Sequence, residues 1–134
     1  MDEASLVARI KAAEETNECQ GVVDAMREGA SNASVAEDGC SALWVLANSN
    51  NNKRIGEAGG IAMILSMMEE HGESNADVVK NGCGALSNLA CNAQNKRNIL
   101  AANGVSIVER MKSTWASNEG VQAMADGALA ILRN

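Results

Sequence analysis

The 134-residue chain contains no proline, phenylalanine or tyrosine, and its only large aromatic side chains are Trp44 and Trp115. Strands draw on β-branched and aromatic residues, so a core restricted to Leu, Ile, Val, Met and Ala favours closely packed helices over a sheet. Positive charge is also scarce: the formal net charge is −6 and the pI about 4.7. A phosphate backbone or an anionic membrane is therefore repelled overall, which excludes nucleic acid and membrane partners and favours cationic ones. No apolar run approaches the ~20 residues that span a bilayer. The first thirty residues are acidic and lack the apolar stretch of a secretory leader, so a cytoplasmic or nuclear protein is expected.

Chemistry-bearing constellations are missing as well. His71 is the sole histidine, and Cys19, Cys40, Cys83 and Cys91 show no CxxC or Cys/His ligand spacing, which leaves no zinc site to propose. No Ser/His/Asp set, phosphate-binding loop or dinucleotide fingerprint is present, so neither an enzyme nor a cofactor is expected. The four thiols are expected to be free and buried.

What the chain does have is a period of 43 residues. Laid side by side, Asn32–Asn48, Asn75–Cys91 and Asn118–Asn134 share four columns: Val35, Val78, Val121; Ala42, Ala85, Ala128; Leu43, Leu86, Leu129; and Leu46, Leu89, Leu132. A second segment repeats one residue later, with Arg54–Ile61 falling on Asn98–Val105 and the slip absorbed in the Asn-rich loop before it. A period in this range is the signature of stacked helical units, each unable to bury its faces alone. Cys40 and Cys83 then sit on neighbouring helices about 8–10 Å apart, beyond the reach of an unstrained disulfide.

Within each period the spacing is helical. Val35, Gly39, Ala42, Leu43, Leu46 and Ala47 recur at the steps of one buried face. Ser31-Asn32, Ser74-Asn75 and Ser117-Asn118 precede the long helices as capping residues, and Ser74 with Asp77 has capping-box spacing. Gly59-Gly60 and Asn103-Gly104 divide a short helix, about 52–58 or 95–102, from a medium one, about 61–71 or 105–115. The predicted organisation is a single all-α domain over 1–134. It holds a divergent N-terminal helix (1–17), a partial repeat (18–51) and two fuller repeats (52–94 and 95–134), about three repeats in all.

Residues 81–90, Asn-Gly-Cys-Gly-Ala-Leu-Ser-Asn-Leu-Ala, followed by Asn95-Lys96-Arg97-Asn98-Ile99 and Ala102-Asn103-Gly104-Val105, resemble the armadillo repeat. That family's pattern runs A-L-x-N-L-A, a polar loop, N-x-x-x-I and A-G-G-I. The resemblance covers about residues 18–134. It implies a right-handed superhelix of three-helix repeats whose third helices line a concave groove that binds extended protein segments.

Helical geometry names the residues for that groove. Positions three, six and ten beyond Val35 lie well away from the buried face at ~100° per residue. They are Asp38, Ser41 and Val45, with Asn81, Gly84 and Asn88, then Met124, Gly127 and Ile131, in the later repeats. In the family's peptide-binding pattern the second and third of each trio are Trp and Asn. Asn88 matches, while Ser41, Gly84 and Gly127 replace Trp, and Val45 and Ile131 replace Asn. The Asn88 amide suits either a bound peptide backbone or a tie to the neighbouring repeat. Trp44, between the buried and groove faces, suits either a binding hot spot or inter-repeat packing. His71 and Trp115, equivalent at the later register, are expected to pack or cap locally. Lys53-Arg54 and Lys96-Arg97 read as solvated charge, and Glu14-Glu15-Glu18 and Glu69-Glu70-Glu73 as acidic surface able to steer a cationic ligand. The predicted function is a non-enzymatic protein-interaction scaffold. The alternative is a structural fragment of a longer solenoid, associating with itself through chain ends because nothing in the sequence covers the outer flank of the last helix.

Overall fold

The computed structural model describes residues 2–134. Among them the chain forms nine helices and no strand: α1 (Glu3–Glu15), α2 (Cys19–Glu28), α3 (Ala33–Leu46), α4 (Asn52–Glu57), α5 (Gly60–His71), α6 (Ala76–Leu89), α7 (Ala93–Ala101), α8 (Gly104–Thr114) and α9 (Glu119–Leu132). The all-helical class predicted from the composition holds. Among the described residues no helix is long and apolar enough to cross a membrane.

The long helices start where side chains satisfy their free amides. Asn32 accepts from the Val35 N–H at 3.0 Å, Asn75 from Asp77 and Val78, and Asn118 from Val121 at 2.9 Å. The capping box expected at Ser74 does not form. Asn75 takes the cap, Ser74 turns its hydroxyl back to the His71 carbonyl, and Asp77 pairs with Lys80. At the start of α5 and α8 the chain instead passes through a left-handed residue, Gly59 at φ 88° and Asn103 at φ 65°. The following glycine lets the corner close onto a buried isoleucine: a Cβ on Gly104 would lie 2.4 Å from Ile99 Cγ2, and one on Gly60 2.5 Å from Ile55 Cγ2.

Helices α1, α3, α6 and α9 lie side by side, each packed on the next, and α2, α5 and α8 form a second row behind them. The four repeated columns sit between these rows, and all twelve of their side chains are buried. Each fully buried Leu or Val contributes about 1.5–3 kcal/mol relative to exposure. Methionine does the filling that phenylalanine would do elsewhere. Met26 of α2 lies against Gly39 and Met68 of α5 against Gly82, so close that a Cβ would clash with the thioether chains.

Polar side chains cross from one unit to the backbone of the one before. His71 Nε2 lies 2.8 Å from the Ala30 carbonyl, and Trp115 Nε1 donates to the Gly72 carbonyl at 2.7 Å. A carbonyl only accepts, so His71 carries its proton on Nε2. These two residues therefore reach across units rather than packing locally, because the C-terminal ends of α2 and α5 leave the Ala30 and Gly72 carbonyls without helical partners. Asn95 Nδ2 likewise donates to the Asn52 carbonyl at 2.8 Å.

Cys19, Cys40 and Cys83 are buried and free, whereas Cys91 is exposed because it lies beyond the end of α6. Burial pushes the Cys40 and Cys83 thiols up to about 12, which makes them unreactive as thiolates. The outer flank of α9 carries Ala123, Asp126, Gly127, Ala130 and Arg133, while Val121, Leu129 and Leu132 are buried against its neighbours. The uncovered apolar flank expected at this helix is not found, because its large side chains all turn inward or lie half-buried.

Leu86 tests the core columns. It is fully buried in α6, between α3 and α9. Leu86→Ala should cost about 2–5 kcal/mol, read as a lowered midpoint in thermal or urea unfolding. An unchanged midpoint would remove Leu86 from the core.

Candidate functional site

The exposed face of the α1, α3, α6 and α9 row carries the residues singled out by helical spacing. Asp38, Ser41, Asn81, Asn88, Met124 and Ile131 are half-buried, Gly127 is exposed, and Val45, 63% exposed, is one of two exposed large apolar side chains among the described residues. Gly84 departs from the expectation. It is buried, because the space a side chain would take holds the Trp44 indole.

This seating is the main geometric feature of the face. A Cβ on Gly84 would lie 2.5 Å from Trp44 Cε2 and 2.9 Å from Met124 Cε. Side chains from three successive long helices thus meet at one spot: the ring from α3 lies in a notch on α6, with the α9 methionine completing the wall. Trp44 keeps part of its surface in solvent, as do Met124 and the adjoining Val45. A rigid aromatic ring that is seated yet accessible gives a partner a large apolar contact at low entropic cost.

The asparagines bind the row together. Asn81 Nδ2 donates to the Glu37 carbonyl at 3.2 Å, and Asn88 Nδ2 reaches the Trp44 carbonyl at 3.5 Å. Both are ties to the preceding long helix, one of the two roles open to Asn88 in the sequence. Where α3 and α6 end, a cleft of about 370 Å³ is lined by Ala47, Asn48, Ser49, Asn52, Asn88, Cys91 and Asn92. In its wall Asn52 donates to the Asn88 carbonyl at 2.9 Å, while Asn52 Oδ1 is buried without a partner.

Acidic character gathers at the other end of the row. Between α1 and α3 lies a recess of about 310 Å³, lined by Val7, Ile10, Lys11, Glu14, Glu15, Asp38 and Ser41. Burial, with the Glu3 carboxylate nearby, pushes the Asp38 carboxyl up from the ordinary range. The recess therefore has an apolar floor and a negative rim. The sequence names Glu14 and Glu15 as acidic surface able to steer a cationic ligand, but with α1 set aside as a divergent helix it does not show that they and Lys11 line one recess with Asp38 and Ser41. The pairing of Trp44 with Gly84 was also missed; a large residue and an absent side chain in adjoining repeats were its only trace. Elsewhere, Lys53, Arg54 and Arg97 are exposed, and Lys96 Nζ donates to the Asn134 carbonyl at 2.6 Å.

No protein-family model and no curated protein matches the chain. The fold is similar to the crystal structure of an engineered protein from the Northeast Structural Genomics Consortium, with a TM-score of 0.74 at 22% identity, covering 92% of this chain and 49% of that one. The chain spans about half the length of that structure, and the likeness concerns the fold alone.

Two substitutions test this geometry. Gly84→Ala should displace the indole, because the clash is with ring atoms rather than a flexible end. Overpacking costs about 1–3 kcal/mol and helix propensity returns about 1, so the clearest signal is a red shift of Trp44 emission in a Trp115→Phe background. An unshifted emission would mean that the ring does not occupy the notch. For Asp38 the pKa is raised on folding, so its ionisation weakens the folded state as pH climbs through that raised value. Asp38→Asn should raise the melting temperature at neutral pH, and the difference should close as pH falls below the ordinary carboxylate range.

Proposed function

We propose that this chain is a non-enzymatic protein-interaction module of the armadillo type, a right-handed superhelix of three-helix units that binds a segment of another protein along the α1, α3, α6 and α9 row. The observation that carries the reading is the half-exposed Trp44 seated on Gly84 beside Met124 and the exposed Val45. Apolar anchors fixed in place before binding are what hot spots consist of. Support for a cationic partner comes from the net charge of −6 and from the acidic rim of the α1–α3 recess. Opposite charge steers the encounter and sets orientation more than it sets affinity. The segment that fits has basic side chains toward the α1 end and an apolar anchor at Trp44.

Selection from a random peptide library on the intact chain tests this. Enriched segments should combine Lys or Arg with an apolar residue, and their affinity should fall as salt rises. Trp44→Ala should weaken them by at least about 2 kcal/mol, or about thirtyfold. Asn88→Ala should weaken them less, and should lower stability by no more than about 0.5–1.5 kcal/mol, the worth of its tie to the Trp44 carbonyl. Segments whose affinity ignores Trp44, Asn88 and salt alike would move the site off this face.

A further inference from the structure

The chain contains two Asn-Gly pairs, Asn81-Gly82 and Asn103-Gly104, and the fold treats them differently. Asn-Gly is the dipeptide in which a backbone nitrogen meets least hindrance in attacking the side-chain amide before it, because glycine has no Cβ. Asn81 lies within α6, its amide donating to the Glu37 carbonyl at 3.2 Å, and Gly82 is buried. Asn103 stands at the α7–α8 corner, exposed, at φ 65° and ψ 30°, with no hydrogen bond from its side chain. Gly104 is buried as Gly82 is, but it is the first residue of α8, a position where the N–H has no partner within the helix.

We infer that Asn103 is a site of spontaneous hydrolytic modification, its substrates the side-chain amide and water. The Gly104 nitrogen gives up its proton and bonds to Asn103 Cγ, the Cγ–Nδ2 bond breaks, and the amide nitrogen leaves as ammonia with that proton. One water then opens the resulting succinimide at either carbonyl, giving aspartate or isoaspartate. The corner must open for the ring to close, and the backbone bonds made by Asn103 itself are its N–H to the Leu100 carbonyl and its carbonyl to the Ile107 N–H, with Ala102 N–H to the Asn98 carbonyl just ahead of it. At Asn81 the same opening means unravelling a buried helix that packs on both neighbours. Loop openings lie at the low end of the free-energy range and core helices at the global end.

The two products differ in consequence. Aspartate at a helix start is compatible with the dipole. Isoaspartate adds a methylene to the main chain at a corner where Gly104 already lies against Ile99, and α8 is displaced. The earlier corner performs the same turn with Gly59 at φ 88°, without a reactive side chain.

The test is prolonged incubation of the intact chain in mildly alkaline buffer at body temperature, followed by peptide mapping by mass spectrometry. Gain of one mass unit should accumulate at Asn103 at least about tenfold faster than at Asn81, with an isoaspartate fraction whose melting temperature is lowered. Asn103→Gly, which copies the Gly59 corner, should fold normally and lose the time-dependent acidic species. Absence of conversion at Asn103, equal conversion at both sites, or an acidic species that persists in Asn103→Gly would overturn the assignment.

Discussion

Close approach of the long helices is the constraint on which the rest of the structure depends. Without phenylalanine or tyrosine there is little bulk to fill wide gaps, so α3, α6 and α9 must come near enough for Val, Ala and Leu to close the space. The column Ala42, Ala85, Ala128 is fully buried in this packing. The same closeness places the Trp44 ring over Gly84, since a side chain at that position would have nowhere to go.

Closeness also explains the polar ties. The ends of α2 and α5 leave carbonyls unpaired, and His71 and Trp115 of the next unit satisfy them, while Asn95 adds a second acceptor bond to the carbonyl of Asn52 at the start of α4. His71, Trp115 and Asn95 each donate to a carbonyl some forty residues earlier. Such bonds are directional, so they fix the orientation of one unit on the next in a way that columns of aliphatic side chains do not. Each contributes about 0.5–1.5 kcal/mol net.

Much of this was legible in the sequence, for identifiable reasons. The caps at Asn32, Asn75 and Asn118 and the breaks at Gly59 and Asn103 are local signals, decided by a few residues, and they appear where the sequence places them. Burial of the four columns follows from helical spacing alone. The misses are of another kind. Gly84 was assigned to an open face because spacing gives a direction but not what lies over it, and the covering ring comes from a residue forty positions away. The recess between α1 and α3 was invisible because α1 lacks the repeat's columns while still packing on α3. His71 and Trp115 share a register but not a residue type, and only the backbone of the preceding loop shows what they have in common.

The rows have a mechanical consequence. Substantial packing joins each long helix to its neighbours in the row and leaves the first and last of them apart. Cooperativity must then be relayed through the middle, since no substantial packing among the described residues joins α1 to α9. The segment from α4 to α6 has partners on both sides and holds the two outer portions together, whereas α1 and α9 each have one long-helix neighbour. Amide protons in α6 should thus be the slowest to exchange, and opening should proceed inward from the two ends rather than all at once.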